Sequence, residues 1–253
     1  MIFRFFILFF VFNATARAEI PLAERRSGYE FMSRETRAMQ DDDATSPAAL
    51  WLLDGEAQWN RKAGASGKGC SDCHAIEKMK GVATRFPAFD PSIRKLINLD
   101  QRINLCRLEQ QKAPALQLEG RELLALSAYV GKQSRGMPID ISVSENTKAS
   151  LDAGRATFQR RQGQLNLSCA QCHEQNWSKS LAGSTIPQAH PTGYPLYRLE
   201  WQALGSLQRR LRNCFIGVRA EPYAYGAQEY VELEYYLMWR ARGMKLETPA
   251  VRP

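Results

Sequence analysis

The chain has 253 residues and a formal net charge of +8, room for one large domain or two of ordinary size. Its Lys and Arg residues form no run interleaved with aromatics, which argues against a nucleic-acid surface. No apolar stretch reaches the about 20 residues that a membrane span requires.

In chain order, Met1 to Arg4 is a short positive start, Phe5 to Phe12 is apolar and Ala16-Arg17-Ala18 is a small-x-small cleavage site. Residues 1–18 therefore read as a cleavable export signal, and the mature chain should begin near Glu19 without a membrane span. Cleavage removes Arg4 and Arg17 and no acid, leaving +6. Residues 19–45 read as an extended or partly disordered N-terminal arm, 46–137 as a first domain, 138–147 as a polar linker and 148–253 as a second domain.

Six cysteines in an exported protein would ordinarily suggest three disulfides. Four of them, however, lie in Cys70-Ser-Asp-Cys73-His74 and Cys169-Ala-Gln-Cys172-His173. In a C-x-x-C-H pentapeptide two thiols three residues apart can form thioethers with the vinyl groups of one haem, and the following His is held beneath the iron. Zinc would need further Cys or His pairs nearby, and thiol exchange would place the motif at a strand-to-helix turn. Two covalently bound haem c groups are expected, held by Cys70, Cys73, Cys169 and Cys172, with His74 and His173 as proximal ligands.

The two halves repeat one another. Gly55-x-Ala57-x-Trp59 and Gly154-x-Ala156-x-Phe158 each stand fifteen residues before a haem motif. Downstream, Phe86-Pro87-x-Phe89 matches Tyr194-Pro195-x-Tyr197, and Leu99-x-x-Arg102-Ile103-x-x-Cys106 matches Leu207-x-x-Arg210-Leu211-x-x-Cys214. Then Glu122-x-x-x-Leu126-x-x-Tyr129 matches Glu229-x-x-x-Leu233-x-x-Tyr236, and Arg135-Gly136-Met137 matches Arg242-Gly243-Met244. The second copy carries a net nine-residue insertion between His173 and Tyr194. A helix, a haem motif, a long loop and a final helix predict an all-α fold of two tandem cytochrome-c-like domains.

A second axial ligand is commonly Met or His. His190 has no counterpart in the first half, and Met137 and Met244 follow the last helix of each unit, where packing or surface roles suit them better. Cys106 and Cys214 recur once per unit in the loop where a distal ligand belongs. Three readings stay open: thiolate ligands, a disulfide joining the two cysteines, or inert buried thiols. Symmetry disfavours the disulfide, since equivalent points of tandem repeats seldom approach within the under 7 Å between Cα atoms that it needs. Thiolate ligands would lower the iron potential and leave a sulfur lone pair at the metal, which suggests sulfur chemistry.

Arg102 and Arg210 each stand one helical turn before their cysteine, able to offer a bidentate fork to an oxyanion or to pair with a haem propionate. Asp100-Gln101-Arg102-Ile103-Asn104 holds one cation beside an acid, whereas Gln208-Arg209-Arg210-Leu211-Arg212 holds three cations and no acid. The second unit is therefore the expected catalytic one, with Arg209 or Arg212 helping Arg210 to neutralise an anion.

The two C-x-x-C-H sites, the unpaired cysteine after each, and Arg210-x-x-x-Cys214 together resemble the SoxA family of the periplasmic thiosulfate-oxidising system, in its dihaem form, over nearly the whole mature chain. That resemblance implies a periplasmic L-cysteine S-thiosulfotransferase acting with a SoxX-like monohaem cytochrome. It implies conjugation of thiosulfate to a carrier cysteine on a SoxYZ-like protein, with electrons passing to a small cytochrome c. It further implies that Cys214 is the catalytic haem ligand, modified to a persulfide, that Arg210 binds substrate and that Cys106 ligates the remote haem. A purely electron-transferring dihaem cytochrome would need the same haem motifs but not the arginines, and a dihaem peroxidase would need an open iron and more histidines.

Overall fold

The computed structural model describes residues 19–253; the export signal expected at 1–18 lies outside them. The described residues form helices α1 (Arg34–Asp41), α2 (Ala49–Asn60), α3 (Leu99–Cys106), α4 (Arg121–Lys132), α5 (Glu145–Gln159), α6 (Cys169–His173), α7 (Leu207–Gly217) and α8 (Gln228–Arg240). Seven short strands accompany them: β1 (Ala88–Asp90), β2 (Lys95–Ile97), β3 (Ser180–Leu181), β4 (Ser184–Thr185), β5 (Leu196–Arg198), β6 (Ala203–Gly205) and β7 (Ala250–Arg252). The fold is thus mostly helical and not purely all-α, because three small sheets brace the loops. Strands of two or three residues are too short to print an alternating pattern on the sequence.

The repeat is structural. In each half the first long helix crosses the last, α2 on α4 and α5 on α8. The glycine of the Gly-x-Ala-x-aromatic motif makes that crossing possible. A Cβ on Gly55 would lie 2.2 Å from the Ala125 carbonyl oxygen, and one on Gly154 would lie 2.1 Å from that of Glu232. The motif's aromatics then pack on the partner helix, Trp59 with its ring 6.2 Å from that of Tyr129 and Phe158 with its ring 5.5 Å from that of Tyr236. Because the obstruction is helix backbone, Gly154→Ala is expected to destabilise the fold by about 3 kcal/mol, the upper range for overpacking. A thermal midpoint within a degree of the parent would refute this close approach.

Hairpins β1–β2 and β5–β6 are also equivalents: Ala88 pairs with Ile97 as Leu196 pairs with Gly205. The second hairpin gains β7, which runs parallel to β5. Both hairpins lead into a capped helix, with Asn98 accepting from the Gln101 amide before α3 and Ser206 accepting from the Arg209 amide before α7.

The two halves share a core. Tyr230, Val231, Leu233 and Tyr235 of α8 are at most 1% exposed and pack in one cluster with Ala83 and Leu96 of the first half. The tails after the last helices zip together: Gly136 N–H donates to the Leu246 carbonyl at 2.8 Å and Ile139 N–H to that of Met244 at 2.8 Å. Ile139 and Ile141 are buried, and α5 already begins at Glu145 behind its Ser144 cap. The segment expected as a polar linker over 138–147 is therefore partly core and partly helix.

Nor is the N-terminal arm loose. Arg26 N–H donates to the Gln188 side chain at 2.7 Å, Ser27 donates to Glu247, and Gln40 accepts from the Val251 amide at 3.1 Å. Arg25 is buried against the Arg242 carbonyl and Glu19. Its partners lie about 160 to 220 residues away in sequence, a distance at which local composition carries no information.

Candidate functional site

Each haem motif folds as a single turn. Ser168 caps α6 by accepting from the Gln171 amide, and Gln171 returns a bond to the Ser168 amide. This turn puts Cys169 and Cys172 three residues apart on one side and His173 at its end. The nine-residue insertion then folds as the exposed β3–β4 hairpin and returns at Pro187, whose carbonyl accepts the His173 Nδ1–H at 2.7 Å. With Nδ1 committed, Nε2 is left as the free lone pair, and burial disfavours the charged imidazolium.

The first motif is a 3-10 turn, Cys70–Asp72, closed by Asp72, which accepts from the Gly69 amide at 2.7 Å and from Lys62. Cys73 and His74 are exposed, and the His74 ring lies 6.4 Å from that of Trp59.

All six cysteines are free thiols. Cys106 is within electrostatic reach of Cys70 and Cys73, and Cys214 within reach of Cys169 and Cys172. Each unpaired cysteine thus lies beside its own haem motif rather than bonded to its counterpart. Burial, and secondarily the neighbouring Cys214, push the Cys169 thiol up to about 12.

These residues fit a covalently held haem in the second unit: two unbonded thiols in one turn, an oriented neutral imidazole and a third thiol nearby. An orphaned donor strengthens the fit. Arg240, buried within reach of Cys169 and His173, has Nη1 without a hydrogen-bond partner among the described residues. A carboxylate such as a haem propionate would satisfy it.

The arginines before the two unpaired cysteines differ in a way their own flanks do not reveal. Arg102 Nη1 donates to Asp90 at 2.7 Å, and the Asp90 side chain is 8% exposed. Burial, chiefly, and the nearby Glu109 and Asp90 push the Cys106 thiol up, with Arg102 opposing. Arg210 makes no salt bridge among the described residues, and it lies within electrostatic reach of His173 and Tyr194.

Arg209 and Arg212, expected to assist it, are engaged elsewhere. Arg209 stacks 4.4 Å from the Trp201 ring centre. Arg212 lies 4.7 Å from that of Tyr225 and donates to the Tyr223 carbonyl. On a helix they sit about 100° and 200° around from Arg210, so adjacency in sequence separates rather than gathers their charges. Asp100, named as the acid beside Arg102, is turned inward to Ser127. Asp90 of the preceding hairpin is the carboxylate that neutralises that arginine.

Of the other residues considered, His190 is buried under the arm, its Nδ1–H donating to the Arg26 carbonyl at 3.0 Å. Burial, chiefly, lowers its pKa to about 4. Met137 and Met244 are half-buried in the paired tails, where Met244 packs on the shared core. Three residues not singled out from sequence belong to the second site: Arg240, Tyr194 and Arg198. The last two lie within electrostatic reach of Arg210 and Cys214. Aligning the halves would have raised both, since Tyr194 stands where the first copy has Phe86 and Arg198 where it has Asp90.

The family described as SoxA/TsdA, cytochrome c domain, matches residues 54–139 and 153–246. A relative named L-cysteine S-thiosulfotransferase subunit SoxA from Rhodovulum sulfidophilum is 34% identical over 244 residues, covering 93% of this chain and 85% of its own. One of the same name from Pseudaminobacter salicylatoxidans is 34% identical over 245 residues, covering 96% and 86%. The crystal structure of SoxXA from P. pantotrophus contains a chain that superposes with a TM-score of 0.87 at 28% identity, covering 90% of this chain and 87% of that one.

Proposed function

We infer from its membership of the SoxA/TsdA cytochrome c family that this chain is the SoxA-type subunit of an L-cysteine S-thiosulfotransferase. It works with a SoxX-type monohaem partner in thiosulfate oxidation. The chain carries two haem c groups, is exported to the periplasm behind residues 1–18 and acts at its second site. It joins thiosulfate to a cysteine of a SoxYZ-like carrier. Forming that S–S bond releases the carrier thiol's proton and two electrons, which leave one at a time through the SoxX-like partner to a small cytochrome c.

The observation that carries this reading is the uncompensated Arg210 one turn before Cys214, beside a first copy whose arginine is held by Asp90. Thiosulfate is a dianion, and a bare thiolate would repel it. Arg210 can take the sulfonate oxygens in its fork, leaving the outer sulfur to face the Cys214 sulfur. Cys169 and Cys172 would hold the haem covalently, with His173 and Cys214 as the residues available to its iron, and Cys70, Cys73, His74 and Cys106 would serve the first haem in the same way. When bound, the haem accepts single electrons close to the sulfur. His173 is oriented for its place by the Pro187 carbonyl, and Arg240 offers its spare donor to a propionate.

The test is to incubate the purified complex with thiosulfate, oxidised cytochrome c and a carrier protein bearing one cysteine. A thiosulfate-dependent mass gain of one thiosulfonate group on that cysteine is expected, together with cytochrome c reduction. Cytochrome c reduction by other donors without carrier modification would favour a purely electron-carrying protein. For Arg210→Ala, KM for thiosulfate should rise about 10- to 100-fold, the range for one charged hydrogen-bonding group. An unchanged KM would remove Arg210 from the site.

A further inference from the structure

We propose that Arg198 is a second anion-recognising residue of the Cys214 site, and that the exchange of Asp90 for Arg198 between the repeats reserves substrate for the second site. The proposal rests on the thiosulfate reading above and extends it to a residue outside the Arg210-to-Cys214 motif.

Asp90 ends β1 and Arg198 ends β5, at the same register position of equivalent hairpins. Each hairpin leads through a capped turn into the helix bearing its arginine and cysteine. In the first half this position supplies a carboxylate that closes on Arg102 at 2.7 Å, so the cation before Cys106 is neutralised from within. In the second half the same position supplies another guanidinium, within electrostatic reach of Arg210, Tyr194 and Cys214. A pair that attracts in one copy has become a pair that repels in the other.

That repulsion is only partly relieved by the surroundings. The Arg198 side chain is only 18% exposed, and its acidic neighbour Glu200, 2.9 Å away, is 63% exposed and so screened by water. Its Nε donates to a main-chain oxygen of Pro253, the last residue, at 2.7 Å, its guanidinium lies 5.4 Å from the Trp201 ring centre, and Nη1 has no hydrogen bond to a described residue. Trp201 also receives Arg209, at 4.4 Å, so the ring carries both cations and Arg209 is the closer of the two. Two half-buried guanidiniums match the two charges of thiosulfate, and a dianion between them removes the repulsion while accepting from both. Tyr194 in place of Phe86 adds a buried hydroxyl within electrostatic reach of Arg210 and Cys214.

Steady-state kinetics of the assembled complex test this with Arg198→Gln, Arg198→Lys and Arg198→Asp, alongside thermal midpoints and absorption spectra. Arg198→Gln should raise KM for thiosulfate about tenfold with kcat within about threefold, the signature of lost binding. Arg198→Lys should recover much of that loss. Arg198→Asp should recreate the Asp90–Arg102 arrangement around Arg210 and raise KM about 100-fold, with the haem spectrum unchanged. A residue serving only to anchor Pro253 would instead lower the thermal midpoint equally in all three and leave KM alone, which overturns the proposal. If the parent complex transfers thiosulfate while Gln and Asp variants keep its KM, Arg198 is excluded and the function stands. Should the parent complex neither bind nor transfer thiosulfate, both readings fall together.

Discussion

Cys214→Met should abolish thiosulfate transfer to the carrier, by about 1,000-fold or more, while haem remains attached through Cys169 and Cys172. A thioether can still serve as an iron ligand, so this substitution would retain a donor and the size of the side chain more closely than Ala would. It removes the negative charge, the exchangeable S–H and the capacity to carry a further sulfur atom. Losses of that size are typical when a covalent participant is removed and only binding and orientation remain. The matched control is Cys106→Met: thiosulfate transfer should continue, because Arg102 in that unit is already held by Asp90. Carrier mass gain reads the activity, and optical and EPR spectra distinguish His/thiolate from His/Met iron. Full transfer by Cys214→Met would remove Cys214 from the chemistry, whereas His/Met spectra in the parent protein would leave a dihaem electron carrier as the function.

A second large effect is expected at the seam between the halves. Glu234 of α8 is 6% exposed and accepts from the Asn98 side chain at 3.0 Å. Burial is the main cause that raises its pKa, to about 8; the nearby Asp100 and Glu119 add to this, while the bond from Asn98 and the neighbouring Gln208 oppose it. Asp100, bonded by Ser127, is raised to about 6, again mainly by burial. A buried carboxyl whose native pKa exceeds its unfolded value of about 4.3 holds its proton longer when folded. Its contribution is therefore fully present below about pH 4.3 and is lost as pH rises through about 8. That loss is on the order of 4 kcal/mol between pH 5 and 8.5, since each unit is worth about 1.4 kcal/mol.

Glu234→Gln keeps the shape and the acceptor for Asn98 but cannot ionise. Its stability in urea should match the parent near pH 5 and exceed it increasingly up to pH 8.5. Parallel pH profiles for the two proteins would mean that Glu234 is ionised in the native state. Asp100→Asn should show the same trend over a narrower interval, between about pH 4 and 6.

The sequence by itself determined the patterns that depend on close neighbours. Cys-x-x-Cys-His is a matter of five residues, and Arg210 before Cys214 is one helical turn; such spacings hold in any turn or helix that carries them. The repeat was equally legible, down to Gly55 and Gly154, although only the packed helices give the reason: carbonyl oxygens stand where a Cβ would be. What the sequence left undecided was which cations are free. Reading along the chain gathers Arg209, Arg210 and Arg212 into one patch, but helix rotation sends the flanking two to Trp201, Tyr225 and Tyr223.

The partner that neutralises Arg102 comes from a hairpin twelve residues earlier, and the corresponding hairpin in the second half delivers Arg198 instead. The arm over residues 19–45 and the half-buried seam segment from Pro138 are likewise ordered by partners about 100 or more residues away. Ion pairing and burial are fixed by which surfaces meet, and that is set only when the chain has folded.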